Sequence, residues 1–142
     1  MTTKATFNLQ GMAKYLEDIV QAGIDIDPAA DRALQAGAQV LHPEMQRLVP
    51  VGNAAEGDEH PGNLKRNIVI AGPFQEGNLH TIEVGVLDAD KETAIYGNVQ
   101  EYGSPSKHIP AQPYIRPAID GKKSATKKAI KQSLVSEGFV DP

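Results

Sequence analysis

Four histidines, His42, His60, His80 and His108, are the side chains best suited to hold a metal or move a proton, but they stand 18, 20 and 28 positions apart. No two share the i, i+4 spacing that lets one helix offer two imidazoles to one ion, so they read as scattered surface histidines. Asp88-Ala89-Asp90-Lys91-Glu92 opens like a calcium loop, yet its sixth place, where the sharp turn needs glycine, is Thr93, and its twelfth, where a bidentate glutamate belongs, is Val99. The run reads as a polar turn. Gly97 and Gly103 are one position too far apart for a phosphate-cradling loop, and no Lys-Ser/Thr pair follows them. There is no Gly-x-Ser-x-Gly elbow and no cysteine, which leaves covalent catalysis without a candidate nucleophile. The expectation is a binding or structural protein, not an enzyme, with no catalytic residue, metal ligand or cofactor.

The other chemistry available is charge. The 142 residues carry a formal −4 from 14 basic and 18 acidic side chains. This opposes nucleic-acid binding, which draws its affinity from positive charge displacing counterions. The average hides an asymmetry. From Ala111 to Pro142 there are six basic residues against three acidic ones, a local +3 that leaves −7 on the rest. Lys127, Lys131 and Lys128 fall at roughly 60°, 100° and 160° from Ile130 on a helical wheel, a contiguous flank beside an apolar line. It is either a solvated face or a patch that meets phosphates or an acidic neighbour.

The elements that would position these groups belong to one domain spanning 1–142, a size at which a single core is expected. No run approaches the 18 or so apolar residues that span a bilayer, and Met1–Gln10 has no signal-peptide core, which points to a soluble intracellular protein. With no tryptophan and only seven aromatic residues, that core is aliphatic. Met12, Leu16, Ile19 and Val20 predict a short helix over Gly11–Val20. Asp27-Pro28 is a helix-start signal, and Leu34, Ala38, Leu41, Met45 and Leu48 predict the helix that follows, bent or broken at Pro43. Residues 50–63 read as an exposed flexible loop holding the acidic cluster Glu56, Asp58 and Glu59. Alternation over Asn67–Ala71 and His80–Leu87 predicts an antiparallel hairpin with a loop of several residues, and Thr93–Val99 a third strand. Prolines hold Ser104–Pro113 extended. The final helix runs from about Tyr114 or Pro117 to Glu137, with Ile115, Ile119, Thr126, Ile130 and Leu134 inward and a frayed end over 137–142. The fold class is α+β: a small antiparallel sheet of three to four strands with two N-terminal helices and a long C-terminal helix packed on it.

Two motifs in order, Tyr96-Gly97-Asn98-Val99-Gln100-Glu101-Tyr102-Gly103-Ser104 and Ile109-Pro110-Ala111-Gln112-Pro113-Tyr114-Ile115-Arg116-Pro117-Ala118-Ile119, resemble a signature of one viral family. It is that of the tail-completion, or tail-component, proteins at the neck of long-tailed double-stranded-DNA bacteriophages. Ala36-Gly37-Ala38, Val49-Pro50 and Gly62-Asn63-Leu64-Lys65-Arg66-Asn67-Ile68 agree more loosely, while the acidic link after Val49-Pro50 is longer than the family's usual one. The resemblance implies a small α+β subunit without catalysis. It would form an oligomeric ring, six-fold by family analogy, at the head–tail junction of the virion after assembly in the host cytoplasm. It would complete or cap the tail tube beside the connector or stopper, the tail terminator and the tube, with DNA passing through unread and no membrane involved. A terminator or head-completion role in the same neck is the alternative, and a DNA-binding module using the basic final helix is another.

In the second motif Pro110, Pro113 and Pro117 fix φ at three places, which aims the neighbouring side chains in advance and lowers the ordering cost of binding. Tyr114 and Arg116 are residue types that dominate interfaces, and Arg116 is suited to pair with Glu101 of its own or a neighbouring chain. Glu101, Tyr102, Pro113, Tyr114 and Arg116 are thus candidate interface residues with Lys127, Lys128 and Lys131, while Glu56, Asp58 and Glu59 would face the channel or a ring neighbour. The other reading is that this segment closes the fold, with Tyr114 in the core and Arg116 on a local carboxylate.

Overall fold

The computed structural model describes residues 3–8, 26–52 and 61–139, with side chains from Asp27 onward. Three strands form one antiparallel sheet in the order β1-β3-β2, where β1 is Thr3–Asn8, β2 is Ile68–Glu76 and β3 is Leu79–Val86. Thr3 lies opposite Val86 and Ile68 opposite the same residue on the other side, so β3 is the central strand. Successive strand side chains point to opposite faces. His80, Ile82, Val84 and Val86 therefore share one face of β3, and all four are buried. The predicted hairpin is present, but its connection is the two-residue turn Gly77-Asn78. Gly72 and Pro73, expected in the loop, sit inside β2 where the register shifts between Ala71 and Phe74. This fits an edge strand, since proline cannot donate to a ladder and glycine at φ 101° supplies the irregular backbone.

Helix α1, Ile26–Leu48, starts at the Asp27-Pro28 signal and continues through Pro43 as one helix. Leu34, Ala38, Leu41 and Met45 are buried as their spacing predicts, and α1 packs on β2 and β3. On its other side lies α4, Arg116–Ser136. The two come so close at Gly37 that a Cβ there would sit 3.0 Å from Ile130 Cγ1. The order of layers is thus sheet, α1, α4. After α4, Gly138 adopts φ 100° and the Phe139 amide donates to the Leu134 carbonyl, a turn that buries Phe139 within the stretch 137–142 where a frayed end is expected from the sequence.

The expected third strand at Thr93–Val99 is a helix instead: α3 runs from Lys91 to Tyr102. The sheet foreseen as three to four strands is therefore not the one formed, because only the two hairpin strands were placed correctly and the third comes from the N-terminal Thr3–Asn8. A four-residue helix, α2 (Asn63–Arg66), precedes β2, with Leu64 in the core. The predicted first helix at Gly11–Val20 lies outside the described residues, as do Glu56, Asp58 and Glu59. The flanks of that acidic loop are tied together, Gly62 N donating to Val51 O at 2.6 Å. Among the described residues no helix is long and apolar enough to cross a membrane.

Candidate functional site

The site is built around α3. Its start is set by Asp90, whose neighbours in sequence predict only a polar turn. The Asp90 carboxylate accepts from Thr93 N at 3.1 Å and from Thr93 Oγ1 at 2.7 Å, an N-cap that satisfies an otherwise orphaned donor and holds the carboxyl below the usual aspartate range. Asn63 Nδ2 donates to Thr93 Oγ1 at 2.8 Å and ties α2 to the same turn. At the other end Gly103, at φ 76°, lets the chain turn back; a Cβ there would meet Ala111 N at 2.9 Å and Ile109 O at 3.0 Å. The return starts as a small loop, closed by reciprocal bonds between Ser104 and Ile109. Within it Pro105–Lys107 form a 3-10 turn where an extended run was expected.

The returning segment brings Tyr114, Ile115 and Arg116 onto Glu101, which is 1% exposed. Its carboxylate accepts backbone N–H bonds from Tyr114 at 2.8 Å, Ile115 at 2.9 Å and Arg116 at 3.1 Å, and a side-chain bond from Arg116 Nε at 3.1 Å. The orphan donors at the start of α4 are thus satisfied by a carboxylate from another helix, where negative charge also suits the helix dipole. Arg116 Nη2 donates to the Glu101 carbonyl at 3.1 Å, and its guanidinium carbon lies 5.3 Å from the centre of the Tyr102 ring, within cation–π range. Tyr114 is fully buried; its hydroxyl donates to the Gly97 carbonyl at 3.2 Å, and burial together with the Glu101 carboxylate holds its phenol above the ordinary tyrosine range.

The candidate interface residues therefore divide. Glu101 and Tyr114 are enclosed by their own chain and present no side chain to a neighbour, because one caps α4 and the other fills the space beside Gly97. Pro113 is half-buried. Tyr102, 60% exposed, and Arg116 remain on the surface, joined to each other. Lys127, Lys128 and Lys131 are exposed on α4, but about 17 Å along the axis from Arg116 to Lys127, so they form a separate region.

Sequence reasoning missed the outward face of α3. Its buried face carries Thr93, Ala94, Gly97 and Glu101. Its outer side carries Ile95, Tyr96 and Tyr102, all exposed, with Val99 half-buried between them. This is the reverse of an ordinary surface helix, whose apolar stripe faces the core. Ile109 on the returning loop extends the exposed apolar surface. Two helix signals in the sequence could have exposed α3, Asp90 three residues before Thr93 and Gly103 just past its end.

The histidines also need correction. His80 is 4% exposed, not on the surface, and its ring nitrogens lie 2.9 Å from Asp31 and 3.0 Å from Asp27 at the start of α1. His42 Nε2 lies 2.7 Å from the Ile68 carbonyl. Both contacts are structural pins between α1 and the sheet. Among the described residues no group of three or more His, Asp or Glu side chains is placed to hold a metal ion.

A family model described as "Bacteriophage HK97-gp10, putative tail-component" matches residues 10–103. No curated protein and no solved structure matches the chain.

Proposed function

The chain belongs to the HK97-gp10-like family of bacteriophage tail components, and from that premise we propose that it is a non-catalytic structural protein of a phage or prophage virion. In this reading it assembles as an oligomeric ring, six-fold by family analogy, at the head–tail junction, where it completes or caps the tail tube and lets DNA pass. Family membership implies a virion-associated protein that meets other tail proteins. The ring is carried by one observation, the inverted polarity of α3. Ile95, Tyr96 and Tyr102 keep between 40% and 60% of their surface in water, apolar area whose burial against another subunit would return about 25 cal/mol per Å². Arg116, tied to Glu101 and lying over the Tyr102 ring, supplies a preorganised pair of side chains of the kinds that dominate interfaces.

The acidic residues Glu56, Asp58 and Glu59 suit the channel or a ring neighbour in this proposal, since a basic lumen would retain phosphates during ejection. Lys127, Lys128 and Lys131 suit an acidic surface on an adjacent ring. Mass photometry across a concentration series, followed by an electron-microscopy map of the virion neck, tests the assignment. Oligomers that Ile95→Lys disperses without loss of fold, and a ring of this chain at the junction, are expected. A neck map without the chain, or one lining the channel with those lysines, would overturn the corresponding part.

A second reading rests on the exposure of Lys123, Lys127 and Lys128 along α4, which could grip a duplex. It predicts salt-sensitive gel retardation that Lys127→Glu with Lys128→Glu removes; the structural reading predicts none at low salt.

A further inference from the structure

The outward face of α3 reads the same in both directions along the helix. At about 100° per residue, Tyr102, Ile95, Val99, Glu92 and Tyr96 fall in that order within roughly 120° of its circumference, and the buried Thr93, Ala94, Gly97 and Glu101 fall within roughly 100° on the other side. Ile95 and Val99 stand two positions before and after Gly97, and Glu92 and Tyr102 stand five positions before and after it. The charges at the two ends are opposite. The start of the strip is acidic, with Asp88, Asp90 and Glu92 exposed against one lysine, Lys91. The far end carries Arg116, which lies over the Tyr102 ring and keeps its side chain 59% exposed although Nε and Nη2 are bonded to Glu101.

We infer that this face pairs with the same face of a second copy of the chain, the two α3 helices running antiparallel about a two-fold axis at the level of Gly97. That axis sets Ile95 of each copy against Val99 of the other and brings Glu92 of each to Tyr102 and Arg116 of the other. Both apolar centres are then covered and both ends meet opposite charge, with the helix dipoles also opposed. Parallel pairing would place Glu92 on Glu92 and Arg116 on Arg116. The face is small: α3 is about 18 Å long and about 10 Å wide, whereas a standard-size interface covers about 800 Å² per partner, so the pair is weak and reversible. Its two members point in opposite directions, unlike the subunits of a ring with one polarity. The pair is thus a form of the free protein that opens before the same face meets a ring neighbour, and it goes beyond the ring reading without depending on it.

The absence of cysteine makes the test direct. Glu92→Cys and Tyr102→Cys are prepared as single variants and as one double variant, each checked for native circular dichroism and treated with a short bis-maleimide. The two single variants, mixed, are expected to give a cross-linked dimer that neither gives alone, and the double variant is expected to stop at dimer. Sedimentation of the unaltered chain is expected to show a monomer–dimer equilibrium whose midpoint concentration Ile95→Lys raises about tenfold or more. A self-linked dimer of either single variant shows parallel pairing, and a ladder beyond dimer from the double variant shows unlike surfaces meeting. Either result overturns the inference, as does a dimer that the mixture fails to cross-link or a chain that stays monomeric up to millimolar concentration. Each of these outcomes leaves the ring reading to the neck map, which tests it separately.

Discussion

Glu101 and Arg116 meet at 3.1 Å across the junction of the two motifs, the first buried and the second with its guanidinium at the surface. The pair is asymmetric. Glu101 also receives three backbone N–H groups of the segment that starts α4, so the carboxylate belongs to the fold and the guanidinium to the surface. The motif spacing follows: the carboxylate must lie on the inward face of the last turn of α3, and the returning chain must present three consecutive amides to it.

Removing Glu101 leaves those amides buried without an acceptor. Glu101→Ala is expected to cost about 3–5 kcal/mol. Arg116→Ala leaves the carboxylate with its backbone partners and is expected to cost only about 1 kcal/mol. Urea unfolding of both single variants and the double variant measures the coupling; equal costs would mean that the carboxylate does not cap α4.

The Tyr114 phenol gives a pH dependence. An unfolded chain loses a tyrosine proton near about pH 10, whereas burial and the Glu101 carboxylate retain it in the folded protein. This contribution to stability is fully present below about pH 10 and is lost as the pH rises beyond it, because the unfolded state then binds fewer protons than the folded one. Tyr114→Phe is expected to flatten that fall, at a cost of about 1 kcal/mol near neutrality from the lost bond to the Gly97 carbonyl. Parallel stability profiles for the two proteins between pH 8 and about pH 11 would contradict the assignment.

Gly97 stands where α3 rests on the core, and an added Cβ would lie 3.0 Å from both Leu64 Cδ1 and Tyr114 Oη. Gly97→Ala gains about 1 kcal/mol of helix propensity. Overpacking costs about 1–3 kcal/mol, so the net expectation is a lower melting temperature with no change in oligomers at permissive temperature. A higher melting temperature would show that Leu64 yields freely.

Thr126 is buried between α1 and α4, and among the described residues its hydroxyl has no hydrogen-bond partner. Thr126→Val keeps the shape and removes that unsatisfied group. It is expected to stabilise the protein by about 1 kcal/mol in chemical unfolding; a loss of stability would indicate a water or a partner at the hydroxyl.

Helix α4 and helix α1 from Asp27 onward were legible because their apolar residues recur at helical spacing and face the core. Helix α3 was not, since its apolar residues Ile95, Tyr96 and Val99 face outward and its buried side is Thr93, Ala94, Gly97 and Glu101. A run of β-branched and aromatic residues without an inward helical stripe reads as a strand, and only the two end signals opposed it. Gly72-Pro73 predicts a turn because those residues interrupt regular backbone; here they interrupt an edge strand.

The family, the α+β class, the two long helices and the motif that links Glu101 to Arg116 are legible along the chain, because each is carried by residue spacing. Tertiary structure decided which motif residues are enclosed and which are offered. Tyr114 and Arg116 are two positions apart and both suit an interface, yet the backbone bonds to Glu101 turn one into the core and leave the other beside Tyr102 at the surface. It also decided that α3 shows its apolar side to solvent, which depends on what packs against Gly97, a fact about Leu64, Val86 and Tyr114 from three separate parts of the chain.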